Sequence, residues 1–428
     1  MQLVLKNFSL VDETMDSPGS VVAEDGIIKY VYKNACHKHG IEIEQALDRA
    51  DIVLDGKGSL ALMPAFVDLH AHFREPGFTE KETIESACLA AAAGGYGTVV
   101  CMANTKPVTD TIKQAESIKQ RGDALGLIDL YPALSLTKGM EGKELSEITL
   151  LKDHQNQPPF IRLLSEDGKD VASGELFLAA IKEARRTGTP VSCHCDLDGE
   201  NNATARAIAL AEKAVYECQQ GLQHQQSWRL HIAHVSTKEA AAMIREAKKN
   251  QAYLSCEVTP HHIALTEEDA TAMGAGSFGR VNPPLRSEED RRALIEAIID
   301  GTIDAIATDH APHTYADKEL GAPGFTGLET AFAVCYSTLV TAGHIGLPKL
   351  SSLMSAEPAR ILGLNQGAGG RGLIAPGLRA DFAIADIGAV WKINPALFKS
   401  RGKNSPFTGR ELRGKIQMTI HSGQIVYR

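Results

Sequence analysis

Two histidines one residue apart close an apolar run in "LMPAFVDLHAHFREPGFTE", residues 62 to 80, and an arginine follows two positions later. Alternate residues of a β-strand project from the same face, so His70 and His72 stand side by side at the strand's end. That is metal-ligand spacing.

Further short apolar runs end on groups of the same kind. "FIRLLSEDG" closes on Glu166 and Asp167, "PVSCH" on His194, "RLHIAH" on His234, and "IDAIATDHAPH" on Asp309, His310 and His313. Histidines with carboxylates suit zinc, and a bridging carboxylate lets two ions sit about 3.5 Å apart and share a hydroxide. Glu166 and Asp167 both compete for the bridge, with Lys169 a remoter candidate if carboxylated. His231, three residues before His234, faces the opposite side and is read as structural. His261 and His262, after "CEVTP", and His310 are read as packing or hydrogen-bonding groups behind the ligands.

The elements that must position these side chains alternate in type. Eight β-like runs occur: "PAFVDL" (64 to 69), "GTVVCM" (97 to 102), "LIDLYPAL" (127 to 134), "FIRLLS" (160 to 165), "PVSCH" (190 to 194), "RLHIAH" (229 to 234), "AYLSCE" (252 to 257) and "IDAIAT" (303 to 308). Helical stretches separate them, one expected to start on a capping box of Thr79 and Glu82 and to stop at Gly94 and Gly95. Eight strand-helix units imply an α/β fold, the (β/α)8 or TIM barrel, whose active sites lie where the strands end. About 29 residues rich in Gly and Pro join Glu257 to a helix near Ser287, and a segment of that kind after the seventh strand is expected to be a loop over the site. Outside the barrel, residues 1–57 and 366–428 hold short strands punctuated by Gly and Asp, expected to pair as the two halves of one small composite β domain around a catalytic barrel at 58–365.

A net charge of −9 disfavours nucleic-acid or anionic membrane partners and leaves small molecules as the expected ligands. The N-terminus acquires acidic residues too early for a signal peptide, and no apolar run approaches the length of a membrane span, so a soluble cytoplasmic protein is expected. The scattered cysteines, Cys36 to Cys335, are read as buried reduced thiols.

Taken together, "DLHAHFREPG", "MANTKPVTD", "SEDG", "CHCD", "HIAHVSTKEA", "CEVTPHH", "RVNPPLRSEEDR", "DAIATDHAPHT" and "GLETAFAV" resemble the dihydroorotase family of the amidohydrolase superfamily, in its type I bacterial form. The resemblance implies two zinc ions, one held by His70, His72 and Asp309, the other by His194 and His234, with Asp167 bridging and Glu166 replacing the first acid of the family's "DDG". It implies further that Arg74 and Asn104 bind a substrate carboxylate, that Asn282 and His313 contact a pyrimidine ring, and that Pro323 and Gly324 offer a backbone contact, although the family usually has Phe where Pro323 stands. A planar guanidinium suits such a carboxylate. The implied reaction is reversible closure of N-carbamoyl-L-aspartate to L-dihydroorotate, with Asp309 as ligand and proton carrier. A homodimer and an association with aspartate transcarbamoylase are the implied assemblies. Allantoinases and hydantoinase-type dihydropyrimidinases share the barrel but lack the arginine of "HFREPG" and typically carry a bridging lysine; inactive scaffold members lose ligands that this chain keeps.

Overall fold

The computed structural model describes residues 1–33, 44–152, 160–218, 228–367 and 369–428, which leaves Cys36 outside the described residues. Among the described residues the chain begins with five strands: β1 (Gln2–Asp12), β2 (Met15–Glu24), β3 (Ile27–Lys33), β4 (Ile52–Asp55) and β5 (Ala61–Pro64). Eight parallel strands follow: β6 (Phe66–Ala71), β7 (Tyr96–Cys101), β8 (Asp129–Pro132), β9 (Leu164–Ser165), β10 (Val191–Cys193), β11 (Leu230–Ile232), β12 (Leu254–Val258) and β13 (Ala305–Ile306). The last three are β14 (Phe382–Lys392), β15 (Glu411–His421) and β16 (Gln424–Tyr427).

The eight central strands form a closed ring. β6 to β8 and β9 to β13 are continuous ladders, and Leu134 opposite Leu164 joins β8 to β9. At the other seam Ala71 pairs with His310, and the His72 N–H donates to the His310 carbonyl at 2.8 Å. Asp68 strengthens that seam, accepting from the Thr308 N–H at 3.0 Å and its hydroxyl at 2.6 Å. β13 spans Ala305–Ile306, shorter than the expected 303–308, and beyond it the Thr308 amide goes to the Asp68 side chain.

The N- and C-terminal strands make one sheet in the order β16-β15-β14-β5-β1-β2-β3, with β4 on β1. Its central pairing sets β5 antiparallel to β14, Pro64 opposite Phe382, so the sheet draws on residues beyond position 57 as well as the two ends. Phe66, fully buried, packs edge-on against Tyr96 at 5.5 Å and stacks on Phe332 at 5.6 Å. Beneath β8, Arg379 pairs with Asp129 at 2.7 Å and Asp381 at 3.1 Å, an ionic tie between barrel and sheet.

Two local expectations change. The helix Ile84–Ala93 is capped by Thr83 with Ser86, not by Thr79 with Glu82; Glu82 is buried, where Ser86, Ser400 and His310 surround its carboxylate. Its end at Gly94 stands, since a Cβ there would fall 2.1 Å from the Leu328 carbonyl oxygen. The segment after β12 is not structureless: helices Pro260–Ala264 and Glu267–Met273 shape it before the helix Glu288–Ile299. The six described cysteines with assigned burial are buried and free, and among the described residues no helix is long and apolar enough to cross a membrane.

Truncating Phe66 leaves a cavity between Tyr96 and Phe332. Phe66→Ala is expected to cost about 3 to 5 kcal/mol, read as a lower denaturant midpoint with an unchanged slope.

Candidate metal and substrate site

Strand ends deliver the six candidate ligands. His70 lies within β6 and His72 just beyond it; Asp167 follows β9, His194 β10, His234 β11 and Asp309 β13. All six are buried. Asp167 Oδ1 lies 3.1 Å from His70 Nε2, 3.3 Å from His194 Nδ1 and 3.8 Å from His234 Nε2, while its Oδ2 is 3.4 Å from His72 Nε2. Asp309 Oδ1 lies 3.1 Å from His72 Nε2 and 3.6 Å from His70 Nε2. Between His194 Nδ1 and His234 Nε2 the gap is 2.8 Å. Arg74, His234 and Asp309 hold φ of 60°, 32° and 45°, backbone that costs non-glycine residues of order 1–3 kcal/mol and persists only where surroundings impose it.

The donor set fits a cation. His70 Nε2 and Asp167 Oδ1 are buried 3.1 Å apart, with no well-aligned hydrogen bond to either atom among the described residues, so two donor atoms converge on one spot. Two overlapping groups, His70 with His72 and Asp309, and His70 with Asp167 and His234, bring their donor atoms within 4.8 Å of one another. Burial opposes charge on Asp167 and Asp309, yet the facing imidazoles hold both carboxyls well below their usual range. Both therefore stay ionised, as ligation requires.

Behind the ligands stand groups that fix their rings. Glu257 Oε1 lies 3.0 Å from His70 Nδ1 and its Oε2 3.0 Å from His231 Nε2. A proton on His70 Nδ1 directed at Glu257 leaves the Nε2 lone pair for the site. Burial raises the cost of the Glu257 charge, but His231 and His70 bring its pKa down to about 2. His72 is held similarly, its Nδ1 3.0 Å from Asn104 Oδ1. Glu257 and Asp68 carry no role in the sequence analysis, and Glu82 enters it only as a helix cap; for the first two, an acid inside a short β-like run, as in "YLSCEV" and "FVDLH", is the available signal.

The open alternatives separate in space. Glu166 turns from the centre and accepts from the Leu136 and Thr137 amides at 2.9 and 3.0 Å, while Lys169 donates to the Met140 carbonyl at 3.1 Å. Only Asp167 of the three faces the histidines. His262 bridges Thr259 and the Pro283 carbonyl, His310 approaches Glu82, and His261 packs on Phe325, its pKa brought to about 4 by burial. A further acid-histidine group, Asp129, Asp381 and His421, already has Arg371 and Arg379 as counter-ions.

A cavity of about 210 Å³ opens over this centre, lined by every site residue expected from the sequence except His70, with Gly168 and Ala311 added. Arg74 faces it half-buried, donating from Nε to the Pro312 carbonyl at 3.2 Å; among the described residues no carboxylate pairs with it. Burial pushes the Arg74 pKa down to about 10, still well above neutrality. His313 Nε2 lies 3.2 Å from Arg74 and 2.9 Å from the Pro323 carbonyl, and burial, then Arg74, press its pKa to about 3, so its ring is neutral. Asn282 Nδ2 stands 3.1 Å from His194 Nε2, which carries the segment after β12 over the cavity. The Gly324 N–H already donates to the Arg280 carbonyl at 3.0 Å.

A barrel with this constellation at its strand ends defines a class, and residues 61–426 match the family model described as "Amidohydrolase family". The chain belongs to the amidohydrolase family. Within it, the chain is 37% identical to the dihydroorotase of Clostridium botulinum (strain Eklund 17B / Type B), covering all of both proteins, and 39% identical to that of Anaeromyxobacter dehalogenans (strain 2CP-C), covering 96% of this chain and 94% of the relative. Among solved structures, the L-hydantoinase of Arthrobacter aurescens superposes with a TM-score of 0.84 at 22% identity, covering 100% of this chain and 96% of that one. The dihydropyrimidinase of Brevibacillus agri NCHU1002 gives 0.83 at 20% identity, covering 100% and 95%. At such identities the structural likeness speaks for the fold alone.

If Glu257 orients His70, the isosteric change Glu257→Gln is expected to weaken metal retention by about 10- to 100-fold. Titration of the metal-loaded protein with a competing chelator measures it.

Proposed function

We propose that the chain is a dihydroorotase, a zinc-dependent cyclic amide hydrolase that interconverts N-carbamoyl-L-aspartate and L-dihydroorotate in pyrimidine synthesis. The observation that carries this reading is Arg74: a guanidinium without an acid partner among the described residues, at the wall of a cavity whose floor is the histidine-carboxylate cluster. Full-length relatives named dihydroorotase support it.

In this reading His70, His72 and Asp309 hold one zinc, His194 and His234 the other, and Asp167 serves both. Zinc bound there lowers the pKa of water and polarises an amide carbonyl. The chain's own groups do the rest. Arg74, with the Asn104 amide nitrogen, captures the substrate carboxylate, and Asn282 and neutral His313 meet the ring's polar edge while Pro323 and Gly324 offer a backbone contact. For ring opening Asp309 takes the proton of the attacking water and delivers it to the departing ring nitrogen; ring closure runs the same transfer backwards. The same resemblance carries a cytoplasmic homodimer able to associate with aspartate transcarbamoylase, which gel filtration of the protein alone and mixed with that partner tests.

Hydantoinase-type or allantoinase activity is the competing reading, since those substrates share the cyclic ureide but not the carboxylate. Assays of the purified protein on dihydroorotate, dihydrouracil and allantoin, with metal content measured on the same sample, separate them. Preference for either uncharged ring overturns the proposal, as does an inactive protein with its metal in place.

Two variants test individual roles. Losing a charge-assisted contact that leaves its partner buried costs about 2 to 5 kcal/mol, so Arg74→Ala is expected to lower kcat/KM on dihydroorotate at least about 30-fold. Asp309→Asn keeps the size of the side chain but cannot accept a proton. Turnover is expected to fall about 100-fold or more in both directions with metal partly retained; near-normal turnover in a fully loaded variant would reduce Asp309 to a ligand.

A further inference from the structure

Between β14 and β15 the chain leaves the composite sheet and returns to it. Residues 399–404 of that excursion lie against the loops of the barrel mouth. Glu329 accepts from the Lys399 and Ser400 amides at 2.9 and 3.0 Å. Glu82 accepts from the Arg401 amide at 3.0 Å and from the Ser400 hydroxyl. Gly402 sits so close that a Cβ would fall 2.5 Å from Pro312 Cβ.

Asn404 is the end of this strap. Its Oδ1 accepts from the His313 N–H at 3.2 Å, and its Nδ2 donates to the Ala311 carbonyl at 3.2 Å and to the Gly324 carbonyl at 3.1 Å. Its own carbonyl accepts from the Thr326 N–H at 3.2 Å. One carboxamide thus ties both strips of backbone that line the reaction cavity, 311–313 and 323–324, without lining that cavity itself. The Gly324 carbonyl is gripped from another side by Lys318, whose ammonium also holds the Arg280 and Ala322 carbonyls at 2.8 and 2.9 Å.

We infer that Asn404 is a positioning residue: it fixes the separation of the His313 strip from the Gly324 strip and so sets how tightly the cavity closes on its substrate. No other side-chain type of this size offers an acceptor to one strip and two N–H donors to both; aspartate offers acceptors only and alanine neither. The composite β domain thereby completes the mouth of the barrel instead of only covering its flank. The kinetic consequence rests on the cyclic-amide reading above.

The test pairs steady-state kinetics on dihydroorotate with hydrogen exchange read by mass spectrometry. Two or three lost hydrogen bonds correspond to about a tenfold rise in KM for Asn404→Ala. A larger rise is expected for Asn404→Asp, whose carboxylate would face two carbonyl oxygens. In both variants kcat should stay within about threefold, metal content should be unchanged, and peptides covering 309–314 and 322–327 should exchange faster than in the parent, with the barrel strands unaltered. An unchanged KM in both variants overturns the inference, and so does a fall in kcat that tracks loss of metal. Should neither fold, Gly402→Ala lifts the strap from Pro312 with Asn404 intact; the same rise in KM supports the inference and a normal KM overturns it. Failure of the parent protein to act on dihydroorotate would instead overturn the proposed function, and the exchange experiment alone would then judge the strap: faster exchange at both strips supports it, unchanged exchange overturns it.

Discussion

Two ionised carboxylates, Asp167 and Asp309, are buried among four imidazoles at one end of a closed barrel, and much of the remaining structure answers the cost of keeping them there. Isolated buried charge is expensive, and opposite charge or ligation must compensate it. The described residues offer the two aspartates no guanidinium or ammonium within ion-pair distance; their neighbours are ring nitrogens and converging lone pairs. Such a cluster favours a cation at its centre. The site's design is therefore electrostatic before it is geometric.

Geometry then follows in shells. Glu257 links His70 to His231, Asn104 links His72 to Asp167, and Asp68 ties the seam between β6 and β13 on which His70, His72 and Asp309 all depend. Glu257 and Asp68 lie in fully buried strands, where an unpaired charge would be untenable, so each is matched by partners from other strands or their ends. The positive φ values at Arg74, His234 and Asp309 are held by that same surrounding order. The Arg74 guanidinium, without an acid partner among the described residues, and a neutral His313 beside it give the cavity its polarity.

The contrast between the two acidic clusters is instructive. Asp129, Asp381 and His421 resemble a ligand set by composition alone, yet Arg371 and Arg379 satisfy the carboxylates and turn the group into an ionic joint between barrel and composite sheet. Residue types permit a site; neighbours decide whether it exists. The same distinction separates Asp167 from Glu166, adjacent in sequence, of which one faces the histidines and the other caps two loop amides.

Local order in the chain determined a good deal by itself. Strand periodicity brought His70 and His72 to one face, eight alternating units implied the barrel, and the strand-end rule collected His194, His234 and Asp309 at one mouth, because these follow from spacing along short stretches of chain. The capping box at Thr83 and Ser86 instead of Thr79 and Glu82, and the helices within the segment after β12, escaped it, since a buried Glu82 is drawn away by Ser400 and His310, far off in sequence. Spacing left Glu166 and Asp167 both open, and only the family resemblance favoured Asp167, which the tertiary structure turns toward the histidines; tertiary structure alone decided that Glu257 orients His70 and that Asn404, from the far end of the chain, reaches the mouth of the barrel. Those choices depend on hydrogen bonds between residues tens to hundreds of positions apart, whose directions are set only once the ring closes.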